Sequence, residues 1–290
     1  MQRLIYYIIY PLFWILSLLP LPILYFFSDI TSFVVYAVVG YRKKVIRDNI
    51  TLAFPEKTAE EKKIIEKKFY HHLCDLAVES IKSISISEIE INKRFKINTM
   101  EVLNDLYAKD KSVLLLCGHY ASWEWSGIIN KWMPYKGYAV YKQLRNPQIN
   151  GLLKRLRGRY GGDIVSNKKI VPILFRNKRK DIKSLTLILS DQTPKVSMAK
   201  HVDTFMGVVV PVFTGAEALS KKLDTAVVYL KIEKVKRGYY EASFTTITED
   251  APSLPDYQIT RKFLDQVEAQ IKEAPAYYLW SHKRWKHRLN

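Results

Sequence analysis

The sequence predicts an α/β protein: a mostly parallel mixed sheet flanked by helices, preceded by a helical segment that anchors the chain in a membrane. Three observations predict it. Short runs rich in β-branched and aliphatic residues alternate with stretches of helical periodicity; the last two strand-like runs are joined by a tight turn; and residues 4–27 carry no charge. At 290 residues the chain is long enough to bury a substantial core.

The apolar stretch "LIYYIIYPLFWILSLLPLPILYFF", Leu4 to Phe27, is 24 residues long, and about 20 helical residues suffice to cross a hydrocarbon core. Pro11, Pro20 and Pro22 argue for a kinked or re-entrant segment over one straight helix. A cleaved signal peptide would have a shorter apolar run and a small-residue cleavage site after it. Beyond Ser28 and Asp29, "ITSFVVYAVVG" is too short to span on its own, and Arg42, Lys43, Lys44 and Arg47 then cluster as suits the cytoplasmic surface of an anionic membrane. The expected organisation is an anchor over residues 1–40 and an α/β unit over 41–290.

After the breaker Pro55, residues 56–83 place Ile64, Ile65, Phe69, Leu73, Leu76 and Ala77 at helical intervals, an amphipathic helix. His71 and His72 lie within it. Adjacent helical side chains diverge by about 100°, so a shared metal is not expected and a solvated face is. Strands follow at "SVLLLC", "YAVYKQ", "LTLILS", "VVVPVF", "AVVYLKI" and "YYEASFTTI", with helices at 123–132, 146–159, 214–223 and 257–273. The Arg237-Gly238 turn makes the last two strands an antiparallel hairpin at one edge of the sheet.

Charge bounds the partners. The formal net charge is +18, and residues 142–200 hold 15 Lys and Arg against Asp163, Asp181 and Asp191. Such an excess suits an anionic lipid headgroup or an acidic protein. Nucleic acid is not expected, because no helix-turn-helix, zinc or RNA-recognition signature accompanies the basic run. Cys74 and Cys117 are too few for a disulfide framework and fit a reducing compartment.

The chemistry concentrates in "CGHYASWEW", residues 117–125. The apolar run before it reads as a buried parallel strand, and open α/β sheets bind ligands at the carboxyl ends of strands. His119 and Glu124 are five residues apart, about 140° around one helix, so they could meet only with a loop between strand and helix. With Ser122 as N-cap, Glu124 falls in the first helical turn and can accept a proton from one ring nitrogen of His119. The other nitrogen is then a general base. A dyad without its own nucleophile must use a substrate hydroxyl, and the natural reaction is acyl transfer from an activated ester or thioester. Cys117 is the internal rival as a nucleophile.

"HYASWE" is similar to the His, four residues, Asp or Glu mark of lysophospholipid acyltransferases of the lauroyl and myristoyl lipid A type. "RKKVIRDNITLAFPE" at 42–56, "YKQLRNPQINGLLKRLRGRYGG" at 141–162, "LILSDQTP" at 187–194 and "YYLWSHKRWKHR" at 277–288 carry the resemblance along most of the chain. It implies His119 and Glu124 as the catalytic pair, Arg159 as a functional arginine and Asp191 at the border of the active site. Arg159 could bind an oxyanion or clamp a phosphate, and Arg145, Arg155 and Arg157 are headgroup candidates. His282 is expected to pack under Trp280 and Trp285.

Thr193 stands where lipid A members often carry a second acidic residue. The resemblance further implies a bacterial inner-membrane enzyme facing the cytoplasm. Its donor would be an acyl-carrier-protein or coenzyme A thioester, and its acceptor a lipid A precursor hydroxyl or, alternatively, a lysophospholipid or amino-acid lipid. No cofactor or metal is called for.

Overall fold

The computed structural model describes residues 2–144 and 146–289. Its centre is a seven-stranded sheet of β1 (Phe95–Ile97), β2 (Val113–Cys117), β3 (Lys136–Tyr141), β4 (Asp163–Ser166), β5 (Ser184–Leu189), β8 (Ala226–Lys236) and β9 (Tyr239–Thr248), in the order β1-β9-β8-β2-β5-β3-β4. All neighbours are parallel except the β8–β9 hairpin. Every residue of β2 is buried, as expected of an apolar run flanked by strands and covered on both faces.

Two sequence expectations are corrected here. The β8–β9 hairpin forms around Gly238, whose φ of 72° suits a residue without a Cβ, but it does not end the sheet, because β1 pairs in parallel with its outer strand. The "VVVPVF" run leaves the main sheet: β7 (Val208–Pro211) pairs with β6 (Val202–Phe205) in a separate antiparallel hairpin. Pro211, which lacks an N–H, stands at the end of that two-stranded ladder.

The amino terminus also divides differently. Helix α1 (Gln2–Leu18) stops before Pro20, and α2 (Leu21–Phe33) restarts with Pro20 at its N-cap and Pro22 in its first turn, where a missing N–H costs nothing. A π-helical stretch, Val34–Val39, continues α2 as far as Gly40, so among the described residues one apolar helix is long enough to span, Leu21–Val39, 19 residues, with Asp29 inside it. Leu21, Leu24, Tyr25, Ser28 and Ser32 make one buried face of α2, while Ile23, Phe26, Phe27, Ile30 and Phe33 are exposed on the other.

The buried face of α2 sits on α4 (Ala59–Lys82), which starts with a Thr58–Glu61 capping box. Two buried carboxylates one turn apart on α4 fasten the contact. Asp75 accepts hydrogen bonds from Ser28 at 2.8 Å, Lys234 at 3.1 Å and Arg237 at 2.7 Å, and Glu79 accepts from Tyr25 at 2.8 Å and Tyr240 at 2.9 Å. Arg237 also pairs with Asp29 at 2.6 Å. Helix α2, α4 and the β8–β9 hairpin are thus tied through charges that burial would otherwise penalise.

His72 departs from the solvated face expected of it. It is 2 % exposed, edge-on to Tyr277 at 4.9 Å between ring centres, because α4 is covered on more than one side. Burial, with Lys234 beside it, holds the ring neutral, its pKa well below the usual histidine range. His71 meets Asp29 at 2.7 Å.

Candidate active site

Sheet register builds the site. Strands β2 and β5 pair in parallel with Cys117 opposite Leu189, so two residues further along each chain His119 and Asp191 leave the sheet side by side. His119 Nδ1 and Asp191 Oδ1 are 2.6 Å apart. Asp191 is fully buried, whereas about a fifth of the His119 side chain, 19 %, stays exposed. Burial by itself would raise the Asp191 carboxyl; the adjacent His119 and backbone N–H groups outweigh it and hold the group below the usual aspartate range. A carboxylate of that kind keeps the proton on Nδ1 and leaves Nε2 as the acceptor.

The His119 backbone is clamped from the far end of the chain. Leu279 N–H donates to the His119 carbonyl at 3.1 Å, Ala121 N–H donates to the Tyr277 carbonyl at 3.0 Å, and Tyr120 and Tyr278 form an antiparallel bridge. Between them Ala121 is held at φ 48°, a left-handed conformation that costs a non-glycine residue about 1 kcal/mol.

The clamp is itself braced. Asn49, in helix α3 (Lys43–Ala53), donates to the carbonyls of Trp280 and His282, each at 2.7 Å, and Arg42 donates to that of Ser281 at 2.8 Å. The motifs at 42–56 and 277–288 therefore meet, and together they support the loop that carries the imidazole.

The expected His119–Glu124 hydrogen bond is corrected. Residues Trp123–Lys131 wind as a 3₁₀ helix, and Ser122 makes no side-chain cap. Trp123, not Glu124, meets the imidazole, edge-on at 5.4 Å. Glu124 instead takes both ends of Arg157: Nε donates to Oε2 at 2.8 Å and Nη2 to Oε1. Arg157 belongs to α7 (Pro147–Gly158), so the pair joins the segment after His119 to that helix. Burial would lower the Arg157 guanidinium, and the Glu124 carboxylate more than reverses it.

Arg159 is placed as a brace and not at an oxyanion position. It donates to the carbonyls of Ser83 at 2.8 Å and Ile86 at 2.9 Å, which satisfies backbone acceptors just past the end of α4. Arg145 lies outside the described residues. Cys117 is 2 % exposed and burial drives its thiol well above the usual range, which suits a core residue and not a nucleophile.

His282 is half-buried, and its pKa is pushed down by burial to about 4, although Asp191 opposes the shift. Arg284, inside a motif already singled out, was given no role by sequence reasoning. It is 1 % exposed, lies over the Phe205 ring at 4.8 Å and donates to the Pro211 carbonyl at 3.1 Å.

A histidine oriented by a buried carboxylate at the carboxyl ends of two parallel strands is suited to removing a proton from a hydroxyl. The family model for bacterial lipid A biosynthesis acyltransferases matches residues 1–287. The chain belongs to that family. Three lipid A acyltransferases illustrate the similarity. The lipid A biosynthesis lauroyltransferase of Escherichia coli (strain K12) is 24 % identical over 287 residues, covering 95 % of this chain and 89 % of that protein. The lipid A biosynthesis palmitoleoyltransferase of the same organism is 22 % identical over 278 residues, with the same coverage of each. A lipid A biosynthesis acyltransferase of Haemophilus influenzae (strain ATCC 51907 / DSM 11121 / KW20 / Rd) is 24 % identical over 251 residues, 83 % of this chain and 76 % of that one. The chain thus shares most of its length with these relatives while keeping under a quarter of their residues.

Proposed function

We infer that the protein is a membrane-bound O-acyltransferase that moves a fatty acyl group from an acyl-carrier-protein thioester to a hydroxyl of a lipid A precursor. The observation that carries this reading is His119, bonded through Nδ1 to the fully buried Asp191 and partly open to solvent, in a chain of an acyltransferase family.

In this reading His119 Nε2 takes the proton of the acceptor hydroxyl as its oxygen attacks the thioester carbonyl carbon. Asp191 orients the ring and stabilises the imidazolium that forms. The tetrahedral intermediate collapses by breaking the carbon–sulfur bond. The leaving thiolate recovers the proton from the imidazolium, so ester and free thiol are released and the base is restored. Glu124 acts one step back, holding Arg157 and with it the position of α7 against the active-site loop.

The membrane reading rests on the exposed apolar side chains of α1 and α2 and on Arg42, Lys43, Lys44 and Arg47 immediately after them. It places the catalytic unit on the cytoplasmic face of a bacterial inner membrane.

The test is acyl transfer by the purified full-length His119→Ala protein in detergent, with folding checked by circular dichroism. Loss of transfer with folding retained is expected, and undiminished transfer would remove the mechanism.

A further inference from the structure

A second basic feature lies at the open edge of the sheet. Beside β4 an open groove of about 670 Å³ is lined by Lys154, Arg155 and Arg159 from α7 and its end, and by Arg176 from helix α8 (Ile170–Arg179). Tyr138, Ile164, Val165 and Ile173 give it an apolar wall. Asp163 is the lone carboxylate in the lining, and Lys136 already neutralises it at 2.8 Å. Among the described residues, no carboxylate pairs with Lys154, Arg155 or Arg176.

Helix α7 carries both this groove and the arginine that holds Glu124. Side chains two residues apart on a helix diverge by about 200°, so with Arg157 turned inward to Glu124, Arg155 faces the other way, towards the groove. One helix therefore carries an arginine that braces the active-site loop and a second cation, Arg155, on the external surface.

We propose that this groove between α7 and α8 docks an acidic protein, the carrier that delivers the acyl thioester; the proposal rests on the acyl-transfer reading above. Three unpaired cations in a concave site with an apolar wall complement carboxylates that protrude from a folded partner, with apolar side chains between them. A flat anionic bilayer would read summed charge and gain little from a recess. The partner is held beside α7, whose Arg157 pairs with Glu124 in the segment after His119.

The experiment compares two donors in the full-length protein: an acyl group on acyl carrier protein, and the same acyl group on uncharged pantetheine. The double variant Lys154→Glu/Arg155→Glu and the single variant Arg176→Glu are measured against a charge-matched control, Lys67→Glu/Lys68→Glu, on the exposed face of α4. The groove variants are expected to raise KM for the protein-borne donor at least about tenfold with kcat held, to leave the pantetheine reaction as it was, and to weaken the salt dependence of KM. The control is expected to change neither donor.

Equal KM values for wild type and groove variants with the carrier donor would overturn the proposal. So would an equal loss with both donors accompanied by weaker binding to anionic phosphatidylglycerol vesicles, because the groove would then be reading lipid. A wild-type protein that transfers from neither donor would overturn the acyl-transfer reading itself, and this proposal with it.

Discussion

Replacing Asp191 by Asn removes a single charge at nearly constant volume from a site with no solvent to replace it. The carboxylate is fully buried and its oxygen lies 2.6 Å from His119 Nδ1. Two unit charges about 4 Å apart attract by about 4 kcal/mol at an effective dielectric of about 20, and the amide oxygen that remains keeps part of this. A loss of roughly 3 kcal/mol of transition-state stabilisation corresponds to a fall in kcat on the order of 10². If the amide turns its NH₂ towards Nδ1 it locks the proton on Nε2, the base is lost, and the fall grows to about 10⁴. The assay is continuous detection of the thiol released from the donor, with KM measured alongside and thermal unfolding as the control. The drop should lie in kcat with KM little changed. A variant that folds and keeps kcat within a factor of about three of wild type would refute the assignment of Asp191 as the residue that orients the base.

Glu124→Gln and Arg157→Gln should each lower activity, because each leaves its partner half-buried and unpaired; the double variant should recover part of the loss, a coupling of about 1–3 kcal/mol in a double-mutant cycle. Additive losses would mean that Glu124 touches the chemistry on its own account. The buried Glu79 has its pKa raised from 4.5 to about 7, chiefly by burial, so the folded state holds its proton more tightly than the unfolded chain, and the stability this confers is lost as pH rises between those values. Chemical denaturation at pH 4.5 and pH 8 should show Glu79→Gln gaining up to about 3 kcal/mol relative to wild type across that range, and parallel curves would contradict it. His72 acts in the opposite sense: its depressed pKa costs stability as pH falls below about 6.5, so His72→Gln should flatten the acid side of the stability profile.

What the sequence disclosed depended on range. The buried strands β2, β5 and β8 could be read because an apolar run of five or more residues carries its own evidence, whereas β1 and β4, of three and four residues, carry almost none. Helix α8 has a proline at its third position; that is a breaker in a helix interior but is tolerated in the first turn. The break between α1 and α2 was signalled by Pro20, but the continuation of α2 through Asp29 was not. A charged residue in an apolar helix reads as an end until its partners Arg237 and His71, far along the chain, are known.

The site shows the same division. His119 could be placed at a strand end from local pattern alone. Its carboxylate partner could not, since Asp191 lies 72 residues away and meets it only through the β2–β5 register. Glu124, the nearer acid, was the natural choice from spacing, and it is the 3₁₀ winding from Trp123 that gives it to Arg157 instead. Asn49 has no evident task in the sequence and Arg42 reads as one of a membrane-facing cluster, because the backbone carbonyls they brace lie more than 200 residues later.

The central claim is that His119 is the base that lets this chain add an acyl group to a lipid A precursor. Mass spectrometry of the lipids from cells that carry the His119→Ala protein in place of the wild type tests it most directly. The account predicts lipid A short of one acyl chain, with the missing mass giving the chain transferred and the other lipids unaltered. Unaltered lipid A, or the loss of an acyl chain from a phospholipid or an amino-acid lipid instead, would contradict it.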